Sequence, residues 1–274
     1  MKKSIKRVVG LTLTFALGLT LAGCSGEKNV GDNKKEDNKI TIGVSPEPHK
    51  KIVNEAIKPL LEKEGYEVEV VEFTDYVLPN KALSEGELDA NYFQHVPYLE
   101  STVSESGYDL TYTAKVHIEP MGLYSDKIKD FKDLENGAEI AIPNDPSNGA
   151  RALKLLAENG LIRVPEGNLI SAKDIIDNPK NIKITEVDAE QLPRVLSDVT
   201  AAVINTNYAL EADLNPLKDA LIIENGDSPY ANIIAVKTSD KESEKIKALT
   251  KAATSKEVKE FIEGSYNGAI IPSF

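Results

Sequence analysis

One cysteine, three histidines and no tryptophan occur among the 274 residues. A single cysteine excludes an intrachain disulfide and leaves Cys24 as the sole thiol nucleophile. His49, His95 and His117 stand 46 and 22 residues apart, a spacing that matches no metal-ligand motif, and no histidine-rich tract surrounds them. The sequence therefore predicts neither a metal nor a cofactor. The GxSxG, HExxH, GxxxxGK[ST] and GxGxxG signatures of hydrolases, zinc peptidases and nucleotide-binding proteins are missing, so the chain does not read as an enzyme. Positive charge is also in deficit, with 32 Lys and Arg against 44 Asp and Glu and a net charge of −12. Such a surface repels phosphate backbones and anionic headgroups, which argues against a nucleic-acid partner.

The longest apolar run, Val8 to Ala22, has 15 residues. That is short of the ~18 to 20 that span a bilayer, and Lys2, Lys3, Lys6 and Arg7 precede it, as in a secretory signal over residues 1–23. The run ends in Leu21-Ala22-Gly23-Cys24, where small residues let a peptidase reach the backbone and the thiol supplies an attachment atom. The arrangement resembles the bacterial lipobox, with Cys24 lipidated and the protein held on the outer face of the cell membrane. Two or more acyl chains anchor stably where one does not. Residues 24–39 read as the lipidated cysteine and a flexible linker: Ser25 to Lys39 contain one apolar side chain, Val30, too little to offset the entropy of ordering.

A body from Ile40 to Phe274 follows. Ile40 to Val44 reads as a buried strand, His49 to Gly65 as an amphipathic helix, and Val68 to Phe73 as a half-exposed strand, which together announce a βαβ unit with parallel pairing. Leu88 to Phe93, Leu110 to Ile118, Ala138 to Ile142, Ile182 to Val187, Ala201 to Ile204, Leu221 to Ile223 and Asn232 to Val236 supply further strands. Val96 to Ser106, Pro146 to Asn159, Ala189 to Leu196 and a long region from Lys241 to Glu263 supply helices. Ligands of α/β sheets lie beyond the carboxyl ends of strands, and three loop-rich polar and aromatic segments occupy such positions.

The first is Phe73 to Asn80, with Tyr76. The second is Asp89 to Tyr98, with Tyr92, Phe93, His95 and Tyr98. The third is Ile142 to Leu153, where Asp145 followed by Pro146 predicts a helix N-terminus. Arg151, one and a half turns inside that helix, suits a carboxylate; read alone, it suits a surface ion pair with Glu158 or another acid better. Aromatic residues at strand ends fit core packing as well as a pocket.

Four runs in order, FTDYVLPNKALSEGELDANYFQHVPYL, AIPNDPSNGARAL, AVINTNYA and SPYANIIAV, resemble the NlpA family, the methionine-binding lipoproteins of an ABC-type importer. The resemblance covers Ile40 to Phe274. It implies a type II periplasmic-binding-protein fold, two α/β lobes joined by two crossing strands, with residues 40–118 plus 230–274 in lobe 1 and 119–229 in lobe 2. It places a thioether side chain against Tyr76, Phe93, His95 and Tyr98, a ligand carboxylate on Arg151, and the amino and carboxylate groups on Asn205 and Asn232. His117 and Glu119, near the first crossing, are weaker candidates, Glu119 as a partner for an ammonium. The implied ligand is L-methionine, or a methionine-containing dipeptide or another apolar amino acid; the implied partners are the importer's permease with its ATPase, and the lipid bilayer through Cys24. Rival readings are an enzyme on the same scaffold, with His95 or Glu119 as acid or base, and an adhesive surface lipoprotein.

Overall fold

The computed structural model describes residues 38–274 except residue 227. The expected signal, Cys24 and nearly all of the linker lie outside the described residues. The first strand begins one residue earlier than expected, because Lys39 already pairs with Glu67 at the sheet edge.

In chain order, β1 (Lys39–Val44) leads through two wide helical turns, Pro46–Lys50 and Val53–Ile57, into α1 (Lys58–Lys63); β2 (Glu67–Glu72), α2 (Leu78–Glu85), β3 (Ala90–Tyr92), α3 (Val96–Ser106) and β4 (Leu110–Ile118) follow. Next come β5 (Gly122–Tyr124), β6 (Glu139–Pro143), α4 (Pro146–Glu158), β7 (Lys183–Val187), α5 (Leu192–Val195), β8 (Ala201–Ile204), α6 (Thr206–Glu211), α7 (Pro216–Asp219) and β9 (Ile222–Ile223). The chain returns through β10 (Ala231–Lys237), α8 (Glu244–Ala253), α9 (Lys256–Tyr266) and β11 (Ile271–Pro272).

Two sheets result, a six-stranded one in the order β11-β4-β10-β3-β1-β2 and a five-stranded one in the order β7-β6-β8-β5-β9. The chain passes from the first to the second after Ile118 and comes back before Ala231. Pairing is mixed, a correction to the parallel sheet expected. β1, β2 and β3 are parallel, but β10 runs antiparallel to β3 and β4. A chain that leaves one lobe along β4 and re-enters along the neighbouring β10 must reverse direction.

Both faces of each sheet are covered, so the central strands are apolar throughout rather than alternating. On β1, Ile40, Ile42 and Val44 join the core beneath α8 and α9. Gly43 faces the opposite layer, where an added Cβ would sit 2.6 Å from Leu88 Cδ1 and 3.0 Å from the Phe73 ring. β10 sends Ile234 and Val236 to the first layer and Ile233 and Ala235 to the second. In the other sheet, Ile140, Ile142, Ala201 and Val203 share one core while Ala141, Ala202 and Ile204 share another. The long helix expected near the C-terminus breaks after Ala253, because the Ser255 hydroxyl accepts from Val258 N–H and starts α9 afresh. The Phe73 to Asn80 segment, read as loop, contains the first turn of α2.

Candidate functional site

Three strand ends build the site. Beyond β3, His95 caps α3, its Nδ1 accepting from Tyr98 N–H at 3.1 Å. Beyond β6, Asp145 caps α4 as expected, accepting from Asn148 N–H at 2.9 Å with Pro146 in the first turn. Gly149 lets that helix settle close on the strand, since a Cβ there would lie 3.0 Å from the Pro143 carbonyl oxygen. Beyond β8, Asn205 occupies the N-cap position of α6.

Of the nine residues singled out, Tyr76, Phe93, His95, Tyr98, Glu119, Arg151, Asn205 and Asn232 line one cavity. His117 does not reach it and lies fully buried behind Glu119. Gln94, Asn148, Thr206 and Asn207 line it too and were not anticipated. They sit in three of the quoted runs, but short amides and hydroxyls have no periodicity to mark them.

One wall is aromatic. Tyr76, Phe93 and Tyr98 stand with ring centroids 5.7 to 5.9 Å apart, in the tilted and edge-on arrangements that aromatic quadrupoles favour. Tyr208 of α6 closes on Tyr76 from the other lobe at 5.0 Å. Two hydrogen bonds tie the lobes across this wall: Tyr76 Oη–H donates to Asn207 Oδ1 at 2.6 Å, and Tyr208 Oη–H donates to the Thr74 carbonyl at 3.2 Å.

His95 spends both ring nitrogens on the protein. With Nδ1 accepting from Tyr98, Nε2 carries the proton and donates to Asn148 Oδ1 at 3.0 Å. Burial first, and then the charge of Arg151, lowers its pKa to about 3. The ring is held neutral and offers the cavity a face or edge rather than a base.

The opposite wall is polar. Arg151 forms a forked pair with Glu224, Nε to Oε1 at 2.9 Å and Nη2 to Oε2 at 2.5 Å, and Nη2 also donates to the Glu119 carbonyl at 2.7 Å. Its guanidinium stacks on Tyr230 at 4.3 Å. The acid that answers Arg151 is therefore Glu224, on the return crossing, not Glu158 about two helix turns away. Asn205 donates through Nδ2 to Asn148 Oδ1 at 2.9 Å. That bond fixes the amide so that Oδ1, a buried acceptor without a protein partner, is the free end. Asn232 is fixed the other way round, with Oδ1 accepting from His49 Nε2 at 3.0 Å.

Glu119 is buried at the floor. His117 Nε2 lies 2.7 Å and His49 Nε2 3.3 Å from its Oε1, and Asn207 N–H donates to Oε2 at 3.1 Å. Burial pushes its pKa up, against the opposing pull of His49, Arg151 and the Asn207 N–H. Wide spacing along the chain spoke against a metal, yet folding brings His49, His117 and Glu119 together with ligand-type atoms all within 4.8 Å. Each ring nitrogen already has a protein partner: Ser45 Oγ lies 2.6 Å from His49 Nδ1, and the Tyr92 phenol bonds His117 Nδ1.

The chain that carries this site has relatives. The sequence model of the NlpA lipoprotein family matches residues 40–274. The chain is 43% identical over 257 residues to the D-methionine-binding lipoprotein MetQ of Salmonella typhi, covering 92% of this chain and 93% of that one. Among solved structures, a nutrient-binding protein from Burkholderia cenocepacia bound to methionine is 51% identical with a TM-score of 0.83, over 86% of this chain and 100% of its own. The methionine-binding protein MetQ is 41% identical with a TM-score of 0.84, over 87% of this chain and 99% of its own. The periplasmic-binding-protein fold is thereby established, and with a family model spanning the whole body the chain belongs to the NlpA lipoprotein family.

Proposed function

We propose that this chain captures methionine between its two lobes and delivers it to an ABC importer, remaining tethered to the membrane through a lipid on Cys24. The observation that carries the reading is one cavity with an aromatic wall facing a wall of fixed, opposite polar ends. A thioether is polarizable and favours aromatic edges such as those of Tyr76, Phe93 and Tyr98. A zwitterion withdrawn from water needs a partner for each charge. Arg151, with the donor end of Asn232, serves the carboxylate; Glu119, with the free Oδ1 of Asn205, serves the ammonium.

Binding rather than catalysis fits the committed nitrogens of His95, which leave it no lone pair with which to act as a base. Relatives named for D-methionine make both enantiomers the ligands to test, although the L form is the one the family resemblance suggests. No helix among the described residues is long and apolar enough to cross a membrane; in this reading the lipid on Cys24 supplies the attachment and the body faces outward.

The test is a thermal-shift panel on ligand-stripped protein with the twenty L-amino acids, D-methionine and glycyl-methionine. Methionine is expected to give the largest shift and glutamate none. Stabilisation by glutamate or histidine but not by methionine overturns the reading, and a larger shift with glycyl-methionine moves it to a dipeptide receptor.

A further inference from the structure

Two of the three histidines do not touch the cavity, and nothing in the reading above uses them. His49 is 1% exposed and His117 fully buried, and both direct Nε2 at the same carboxylate oxygen of Glu119. Their tautomers follow from their partners. His49 Nε2 faces two acceptors, Asn232 Oδ1 and Glu119 Oε1, and so carries its proton, leaving Nδ1 to accept from the Ser45 hydroxyl. His117 Nε2 likewise donates to Glu119, and its Nδ1 accepts from the Tyr92 phenol. Burial keeps both rings neutral, with pKa values lowered to about 4 and about 3. His117 therefore donates to Glu119 as a neutral ring, and His49, donating to Asn232, lies against the same carboxylate without bringing a positive charge.

A carboxylate offers about four lone-pair positions. His117 fills one on Oε1, with His49 Nε2 3.3 Å away, while Asn207 N–H takes one on Oε2. At least one position on Oε2 is left over, on a residue that lines the cavity. A second acceptor in the same cavity, Asn205 Oδ1, is buried without a partner. The fixed charges point the same way. Arg151 is already matched by Glu224, so Glu119 is the carboxylate left to be neutralised.

We infer that the ligand's amino group, more than its carboxylate, is what this site selects, with Glu119 as the acceptor and His49 and His117 as the residues that position it. The inference rests on the methionine reading and adds the order of importance of the two charges. A ligand without the amino group leaves Glu119 without a cation and Asn205 Oδ1 without a donor, and adds a carboxylate beside Glu224. A ligand without the carboxylate leaves Arg151 still paired.

The experiment is calorimetric titration of ligand-stripped protein with methionine, 4-(methylthio)butanoate, which lacks the amino group, and 3-(methylthio)propylamine, which lacks the carboxylate. The acid is expected to bind at least about a hundredfold more weakly than methionine, and the amine to lose less. Glu119→Gln should shrink the methionine-to-acid ratio to below about tenfold. His117→Leu should shrink it in the wild-type background and do nothing further in Glu119→Gln, while His117→Gln, whose amide restores an N–H near the Nε2 position, should keep it. Because the readout is a ratio of two ligands on one variant, loss of overall stability does not imitate the result.

If the wild type binds methionine but the amine is weaker than the acid, or if Glu119→Gln leaves the ratio unchanged, the inference is wrong. If the wild type does not bind methionine at all, the underlying reading fails instead. Stoichiometric zinc in the purified protein, lost in His117→Leu and needed for methionine binding, would assign His49, His117 and Glu119 to a metal and overturn the positioning role.

Discussion

Arg151 and Glu224, 73 residues apart in the chain, meet as a two-pronged ion pair with nitrogen–oxygen distances of 2.9 and 2.5 Å. The side chains are 3% and 12% exposed, so the pair is largely withdrawn from water. The pair sets the guanidinium's plane and orientation before any ligand arrives.

Arg151→Ala is accordingly expected to do double damage, removing the carboxylate partner and leaving Glu224 buried beside the ligand. The combined cost is roughly 3 to 5 kcal/mol, or two to four decades of affinity. Arg151→Ala combined with Glu224→Ala should recover part of that loss. Calorimetric titration decides: less than a threefold weakening in the single variant counts against the assignment.

Tyr76→Phe keeps the aromatic wall and removes one cross-lobe bond, leaving Asn207 Oδ1 without its donor. Loss of about 1 to 3 kcal/mol, five- to a hundredfold in affinity, is expected. The preference for methionine over leucine should stay as it was, because the ring faces are unchanged. A changed preference with unchanged affinity would contradict this division of labour.

Side-chain selectivity is expected to fail in Phe93→Ala. The variant should bind methionine more weakly by about 3 kcal/mol or less and discriminate less against leucine, since one methylene of misfit is worth only about 1 to 3 kcal/mol. Competition titrations with the two amino acids measure this; full retention of the methionine-to-leucine ratio would remove Phe93 from the pocket.

His95 supplies a pH test. Its pKa is about 3 in the fold against 6.5 unfolded, so between those values the unfolded chain holds a proton that the folded one lacks. Stability contributed by the neutral ring is complete above pH 6.5 and is lost as pH falls toward 3, at roughly 1 kcal/mol per pH unit. Melting temperature followed from pH 7 to 4 should decline less steeply in His95→Gln than in the wild type. Equal slopes would mean that the ring is not buried and neutral.

Much of this was legible in the sequence because it is local. Asp145-Pro146 announces the start of α4 through capping chemistry confined to four residues, and the apolar runs announce strands covered on both faces. Eight of the nine chosen residues meet at one cavity because they lie at strand ends, where ligands of α/β folds collect. What could not be read depends on distance along the chain or on brevity. Nothing near Arg151 names Glu224, and nothing near His49 names His117 or Glu119. α6, six residues long, is too short to show a helical period. The antiparallel return of β10 is a property of the chain's path, not of its residues.

The central claim is that the cavity between the lobes reads methionine. The most direct measurement is calorimetric titration of ligand-stripped protein with L-methionine and D-methionine, with L-glutamate as the control. Saturable one-to-one binding of at least one methionine enantiomer, abolished or weakened at least a hundredfold in Arg151→Ala, is the predicted result. Heat from glutamate and none from either methionine would contradict it.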